Sequence, residues 1–220
     1  MAPGVSILAA TIPSADKDDV PPGKKPSAFA IKSGTSMACP HVAGGAAFVK
    51  SAHPGWTPSM VRSALMTTAT TTNNLGRPVA SSTGSAATGH DMGAGETSPL
   101  RALSPGLVFD TTLHDYLNFL CSYGYKEGLV RKGKPVAVAR TAINVGPSNA
   151  TYIAAVEAPP GLTVRVSPDR LVFSKRWTTA RYEVSFSVAG AGASKGYAHG
   201  AVTWSDGAHT VRTPFAVNVV

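Results

Sequence analysis

Near residue 140 the spacing of apolar residues changes from helical to alternating, which limits the chain to two units built on different principles. Beyond that point, Arg181-Tyr182-Glu183-Val184-Ser185-Phe186-Ser187-Val188 places an apolar residue at every even position. Leu162-Thr163-Val164-Arg165-Val166 alternates in the same way. Successive side chains of a strand point to opposite faces, so these runs read as strands with one buried face. Val202-Thr203-Trp204 and Val211-Arg212-Thr213 flank Ser205-Asp206-Gly207, whose Asp-Gly predicts a hairpin. Several short strands joined by turns over about 80 residues predict a β-sandwich.

Residues 1 to about 120 mix short strands with helices. Val5–Ala10, announced by Pro3-Gly4, reads as a buried strand, and Ala28–Ile31, ending at Ser33-Gly34, as another. Ser36 to about Ser51 predicts a buried helix rich in small residues such as Ala38, Ala43, Ala46 and Ala47. Gly44 and Gly45 within it each cost about 1 kcal/mol relative to Ala, tolerable where another backbone packs closely. Thr57 as cap and Pro58 at the first helical position open a second helix. Its Met60, Val61, Ala64, Leu65 and Ala69 recur at helical spacing. The Thr- and Ser-rich stretch to Gly89 reads as loop, and Tyr123 to Pro135 as a linker.

At 220 residues and 43% hydrophobic, the chain can bury a sizeable core. It has no run of eighteen apolar residues, so no membrane-spanning helix is expected. The net charge of +8 raises the question of nucleic acid, but the basic residues are dispersed. The densest cluster, Lys126 to Lys134, holds four cations diluted by Gly, Leu and Val. Without an Arg-rich helix, an RNA-binding aromatic signature or finger spacing, it reads as solvated surface. Cys39 is expected to be a buried free thiol, and Cys121 either pairs with it or stays free. The N-terminus has no cationic region and a short apolar run, so it reads as a strand beginning mid-domain rather than a signal peptide. Asn149-Ala150-Thr151 is a glycosylation sequon.

Ser36 stands where a helix begins. A serine there is ordinarily a cap, its oxygen accepting from an orphan N–H. Catalysis asks for more: a serine in a cleft, with the helix N-terminus stabilising an oxyanion. Gly34 would let a substrate backbone come close. The lipase-type elbow, G-x-S-x-G, fails because Ala38 stands where the second Gly belongs.

The segment Gly34-Thr35-Ser36-Met37-Ala38-Cys39-Pro40-His41-Val42-Ala43-Gly44 resembles the nucleophile signature of the subtilisin-like serine proteases. Ala2-Pro3-Gly4-Val5 is similar to the strand preceding that signature, and His53-Pro54 with Trp56-Thr57-Pro58 continues the likeness. Gly93-Ala94-Gly95, Pro105-Gly106-Leu107-Val108-Phe109-Asp110 and Asp115-Tyr116-Leu117 resemble the plant-type branch. That branch carries a C-terminal fibronectin-III-like sandwich, resembled here by Asn144-Val145-Gly146, Pro159-Pro160-Gly161 and Thr203-Trp204-Ser205-Asp206-Gly207. The resemblance implies an α/β remnant of a subtilisin-like parallel-sheet domain over residues 1–120, a linker over 121–139 and an all-β fibronectin-III-like sandwich over 140–220. It implies a serine endopeptidase acting through an acyl-enzyme on Ser36, with Gly34 and Thr35 supporting the oxyanion, no cofactor or metal, and an extracellular location.

The departures weigh as much. A subtilase triad runs Asp, His, Ser. Only 35 residues precede Ser36, and none is a histidine. The motifs that carry the other two members are absent, as is the upstream oxyanion Asn. His41, five residues on, lies about 140° round the helix from Ser36 and reads as a packing and hydrogen-bonding residue. His90-Asp91 could serve as base and acid only by folding back onto Ser36. His114 opens a helix, His199 and His209 belong to the sandwich, and Asp16, Asp18 and Asp19 form a solvated loop without EF-hand spacing. The chain therefore reads as the C-terminal part of a subtilase, inactive alone, with a first sandwich strand missing and one sheet edge unpaired. The expected partners are a polypeptide substrate once an upstream region completes the site, and a second copy or another subtilase. Neither nucleic acid nor membrane is expected. The alternative is a non-catalytic interaction protein built from a protease remnant and a sandwich.

Overall fold

The computed structural model describes residues 1–12, 20, 22–81, 83–113, 115–117, 129–130, 135–188 and 196–219. Asp16, Asp18, Asp19, His114, Cys121 and most of the expected linker with its basic cluster lie outside them.

The second half is a two-sheet sandwich. One sheet orders its strands β4 (Leu129–Val130), β11 (Thr210–Val219), β10 (Gly196–Ser205), β6 (Ala150–Glu157) and β8 (Arg170–Phe173). The other orders β3 (Leu107–Val108), β5 (Val136–Asn144), β9 (Thr179–Val188) and β7 (Leu162–Ser167). The alternation read in residues 181–188 is what buries Tyr182, Val184 and Phe186 on the inner face of β9. Trp204 is fully buried at the centre, edge-on to Tyr182 at 5.0 Å, and Phe186 meets Phe215 at 5.1 Å. Such edge-to-face pairs are the favoured aromatic geometry. The Asp206-Gly207 turn joins β10 to β11 through residues 206–209, with Gly207 at φ 91°. At one edge β4 lies parallel to β11 at Asn218 and Val219. Pro214, which donates no hydrogen bond, sits in β11 beside that edge.

The first half contains β1 (Ile7–Ala10), β2 (Phe29–Lys32), α1 (Thr35–Ala52), α2 (Pro58–Thr67), α3 (Gly89–Met92) and α4 (Pro99–Ala102). Thr57 caps α2 as read from sequence, its Oγ1 accepting from Met60 N–H at 3.1 Å with Pro58 behind it. Val49, Val61, Ala64, Leu65, Ala102 and Val108 form a second core.

Several expectations need correction. β1 and β2 pair antiparallel rather than within a parallel sheet, and Thr11 N–H donating to Ala28 O extends the ladder as the chain turns back. They are not buried: Leu8, Phe29 and Ile31 share one face and are 68%, 59% and 66% exposed. Nor is α1 a buried helix, since Gly45 and Val49 are its buried residues. Cys39 is free but exposed, because at 100° per residue it points about 100° away from that narrow stripe. Gly45 meets the Pro99 side chain, whose Cγ a Cβ there would approach to 3.2 Å, while Gly44 faces open space rather than a packed backbone.

The two cores meet at β3. Leu107 lies in the sandwich core and Val108, its neighbour on the opposite face, in the helical core. Beyond β3 the chain is fastened to α2: Ser63 Oγ accepts from Phe109 N–H at 2.9 Å and Ser59 Oγ from Thr111 N–H at 2.7 Å. These bonds explain why the polar Ser63 is buried in the helix. A further link joins α3 to β10, where His90 Nδ1 lies 3.0 Å from His199 Nε2.

Candidate active site

Gly34 is the N-cap of α1, at φ 152° and ψ 166°, a conformation in which a side chain would be strained. Its carbonyl accepts from Met37 N–H at 3.0 Å, which starts the helix at Thr35. Its own N–H donates to Gly4 O at 2.7 Å, and Ser6 N–H donates to Ser33 Oγ at 2.9 Å. These two bonds bring the segment read as preceding strand, Ala2–Val5, against the serine segment.

Ser36 is therefore the second residue of an 18-residue helix. It is exposed, and its hydroxyl makes no hydrogen bond among the described residues. It is not the cap that a serine at a helix start ordinarily is. Thr35 beside it is also exposed, and the first turn carries no acidic side chain to repel a developing anion.

None of the histidines weighed from the sequence reaches Ser36 among the described residues. His41 Nδ1 lies 2.7 Å from Met37 O, to which it donates. His90 faces His199 and packs edge-on to Tyr197 at 4.8 Å. Asp91 is spent on Thr88, whose N–H and hydroxyl both donate to Oδ2 at 2.8 Å. The Thr88 amide and then the Thr88 hydroxyl hold the Asp91 carboxyl below its ordinary value. An apolar groove of about 640 Å³ lies between α1 and α2, lined by Val42, Ala46, Val61, Leu65 and Met66, but Ser36 is not among its walls. Asn149 is exposed in the turn between β5 and β6.

The best-organised electrostatics lie elsewhere, in the β10–β11 turn. Asp206 Oδ1 accepts from the backbone N–H of Ala208 at 3.0 Å and of His209 at 2.6 Å, while Oδ2 accepts from His209 Nδ1 at 2.8 Å. Burial alone would raise the Asp206 carboxyl, but these donors outweigh it and hold it at about 2, below the ordinary 3.8. A carboxyl depressed on folding adds stability above its unfolded value, and that stability is lost as pH falls through the folded value. Urea midpoints should therefore drop between about pH 4 and pH 2, and Asp206→Asn should flatten that drop. An equal drop in both proteins would assign the acid sensitivity to another group. Sequence reasoning passed over this turn because Asp206 and His209 read there as hairpin residues.

The chain thus joins a helix-borne serine segment to a β-sandwich. Residues 1–95 match the subtilase family, and residues 126–217 match a fibronectin type-III domain family. Subtilisin-like protease SBT1.6 of Arabidopsis thaliana is 40% identical over 99% of this chain and 34% of its own length. Subtilisin-like protease SBT5.1 and the CO(2)-response secreted protease of the same plant are each 39% identical, over 98% and 99% of this chain and 33% and 32% of their own lengths. A FixG-related protein from Vibrio parahaemolyticus is similar at a TM-score of 0.34 and 8% identity over 51% of this chain and 92% of that one, too slight a likeness to bear weight. The chain belongs to the subtilase family and spans about a third of the length of the curated relatives it matches.

Proposed function

We propose that Ser36 is the acyl-transfer nucleophile of a subtilisin-like endopeptidase, acting on polypeptides, with its acid and base on a segment corresponding to the two thirds of the relatives that this chain does not match. The observation that carries this reading is the exposed Ser36 hydroxyl at the second position of α1, unengaged among the described residues. Thr35 and Gly34 stand beside it, where a helix N-terminus favours an oxyanion. The apolar face of β1 and β2, with Leu8, Phe29 and Ile31, is the seat on which that segment docks. An isolated two-stranded sheet is marginal in water, and such a cover would remove the exposed face. Among the described residues no base reaches the serine, and the chain alone is expected to be inert.

A fluorophosphonate probe tests this. With the chain alone, no adduct is expected on Ser36; with the corresponding upstream segment of a relative added, an adduct on Ser36 is expected, absent in Ser36→Ala. Labelling of Ser36 in the isolated chain, or none with the segment present, would overturn the reading. The second reading, a non-catalytic interaction protein, rests on the same exposed apolar face, and a stable complex without Ser36 labelling would favour it. Asn149 is the proposed glycosylation site, consistent with an extracellular location, and a mass increase removed by Asn149→Gln would reveal it.

A further inference from the structure

Ser104, on the segment between α4 and β3, is 105 residues from His209 in sequence, yet its Oγ stands 3.3 Å from His209 Nε2. The opposite ring nitrogen of His209 is the one bound to Asp206. We propose that Ser104, His209 and Asp206 form a second nucleophilic array, separate from Ser36, whose serine is acylated by small carboxylic esters.

Three features of the geometry support it. A carboxylate can only accept, so the ring nitrogen facing Asp206, Nδ1, carries a proton, and in the neutral imidazole the lone pair of Nε2 then faces the Ser104 hydroxyl. That is the tautomer a general base needs. The ring is also held in place, because the amide and the imidazole of the same residue bind the two oxygens of Asp206. Gly106 packs directly beneath it: a Cβ there would come within 2.8 Å of His209 Cβ, and φ is +79°. Finally, access is graded. The side chains of Asp206 and His209 are 10% and 16% exposed, whereas Ser104 is open to solvent. The partly buried acid stays ionised to stabilise an imidazolium, and the nucleophile meets the reagent.

In the acylation step, Ser104 Oγ bonds to the ester carbonyl carbon as its proton passes to His209 Nε2. The tetrahedral adduct collapses, the bond from carbon to the alcohol oxygen breaks, and the departing alkoxide takes the proton from Nε2. Water then attacks the acyl-serine, giving its proton to Nε2. The bond from Ser104 Oγ to carbon breaks, that proton returns to Oγ, and a carboxylic acid leaves. No outside oxidant or further reactant is required.

The test uses the full chain and a small fluorophosphonate, with adducts mapped by mass spectrometry. Ser104 should be labelled, while Ser33 and Ser51, exposed serines without a histidine partner, should not. The adduct should persist in Ser36→Ala, and His209→Gln should slow it by about 10²–10⁴-fold, the ordinary worth of a general base. Labelling of Ser104 no faster than of Ser33 and Ser51 in the unaltered chain would overturn the proposal whether or not His209→Gln folds. An unchanged rate in a folded His209→Gln would overturn it as well. Because the adduct site is read directly, failure at Ser104 and failure at Ser36 are separate results.

Discussion

Replacing Ser36 by Ala, in the chain completed by a segment bearing the acid and base, is expected to lower peptide hydrolysis by about 10⁶-fold, the loss measured for subtilisin when its serine alone is removed. The magnitude follows from the triad acting as a unit: without the oxygen, neither base nor acid has a proton to move. What survives is the contribution of oxyanion donors and binding, about 10³–10⁴-fold over water. The substitution is informative here because its cost to the fold is small. Ser36 is exposed, its hydroxyl makes no hydrogen bond among the described residues, and Ala is a good helix former. Stability should therefore shift by no more than about 0.5 kcal/mol. A stable Ser36→Ala protein that retained hydrolysis within tenfold of the parent would remove Ser36 from the chemistry.

Replacing Trp204 by Ala is expected to destabilise the chain by about 3–5 kcal/mol, read from urea unfolding. Trp204 is fully buried between the sheets and edge-on to Tyr182. The substitution removes packing in the sandwich core and the aromatic contact with Tyr182. The loss is then a cavity, and its size reflects how little two facing sheets can close over it. Against a total stability of about 5–15 kcal/mol it is a large fraction. A change below about 1 kcal/mol with the fold intact would mean that the sheets collapse onto the vacated space.

The sandwich was the legible part of the sequence, and its reason is local. Alternation in residues 181–188 and 162–166 is a property of neighbouring residues, and burial of one face follows from it directly. Thr57-Pro58 marked the start of α2 for the same reason. The burial of α1 was not legible. Its small apolar residues describe a helix made to be packed against, and the described residues cover little of it beyond Gly45 and Val49. Likewise β1 and β2 carry apolar residues on a face that stands open, so composition suggested burial where the fold provides none. The serine segment Gly34–Gly44 was readable because its residues are contiguous. The array of Ser104 with His209 and Asp206 was not, since Ser104 joins the other two through tertiary structure alone.

The short strand β3 has a consequence for how such proteins diversify. The stretch matched by the subtilase family ends at residue 95 and the stretch matched by the fibronectin type-III family begins at 126, so α4 and β3 belong to neither. Yet Leu107 and Val108 each fill a different core, and Ser59 and Ser63 of α2 bind the backbone just beyond them. A gene recombined at either family boundary would carry half of a clasp fitted to one ancestor into a core shaped by another. Crossovers that keep α4 and β3 with both of their original neighbours are therefore the ones expected to leave a folded descendant.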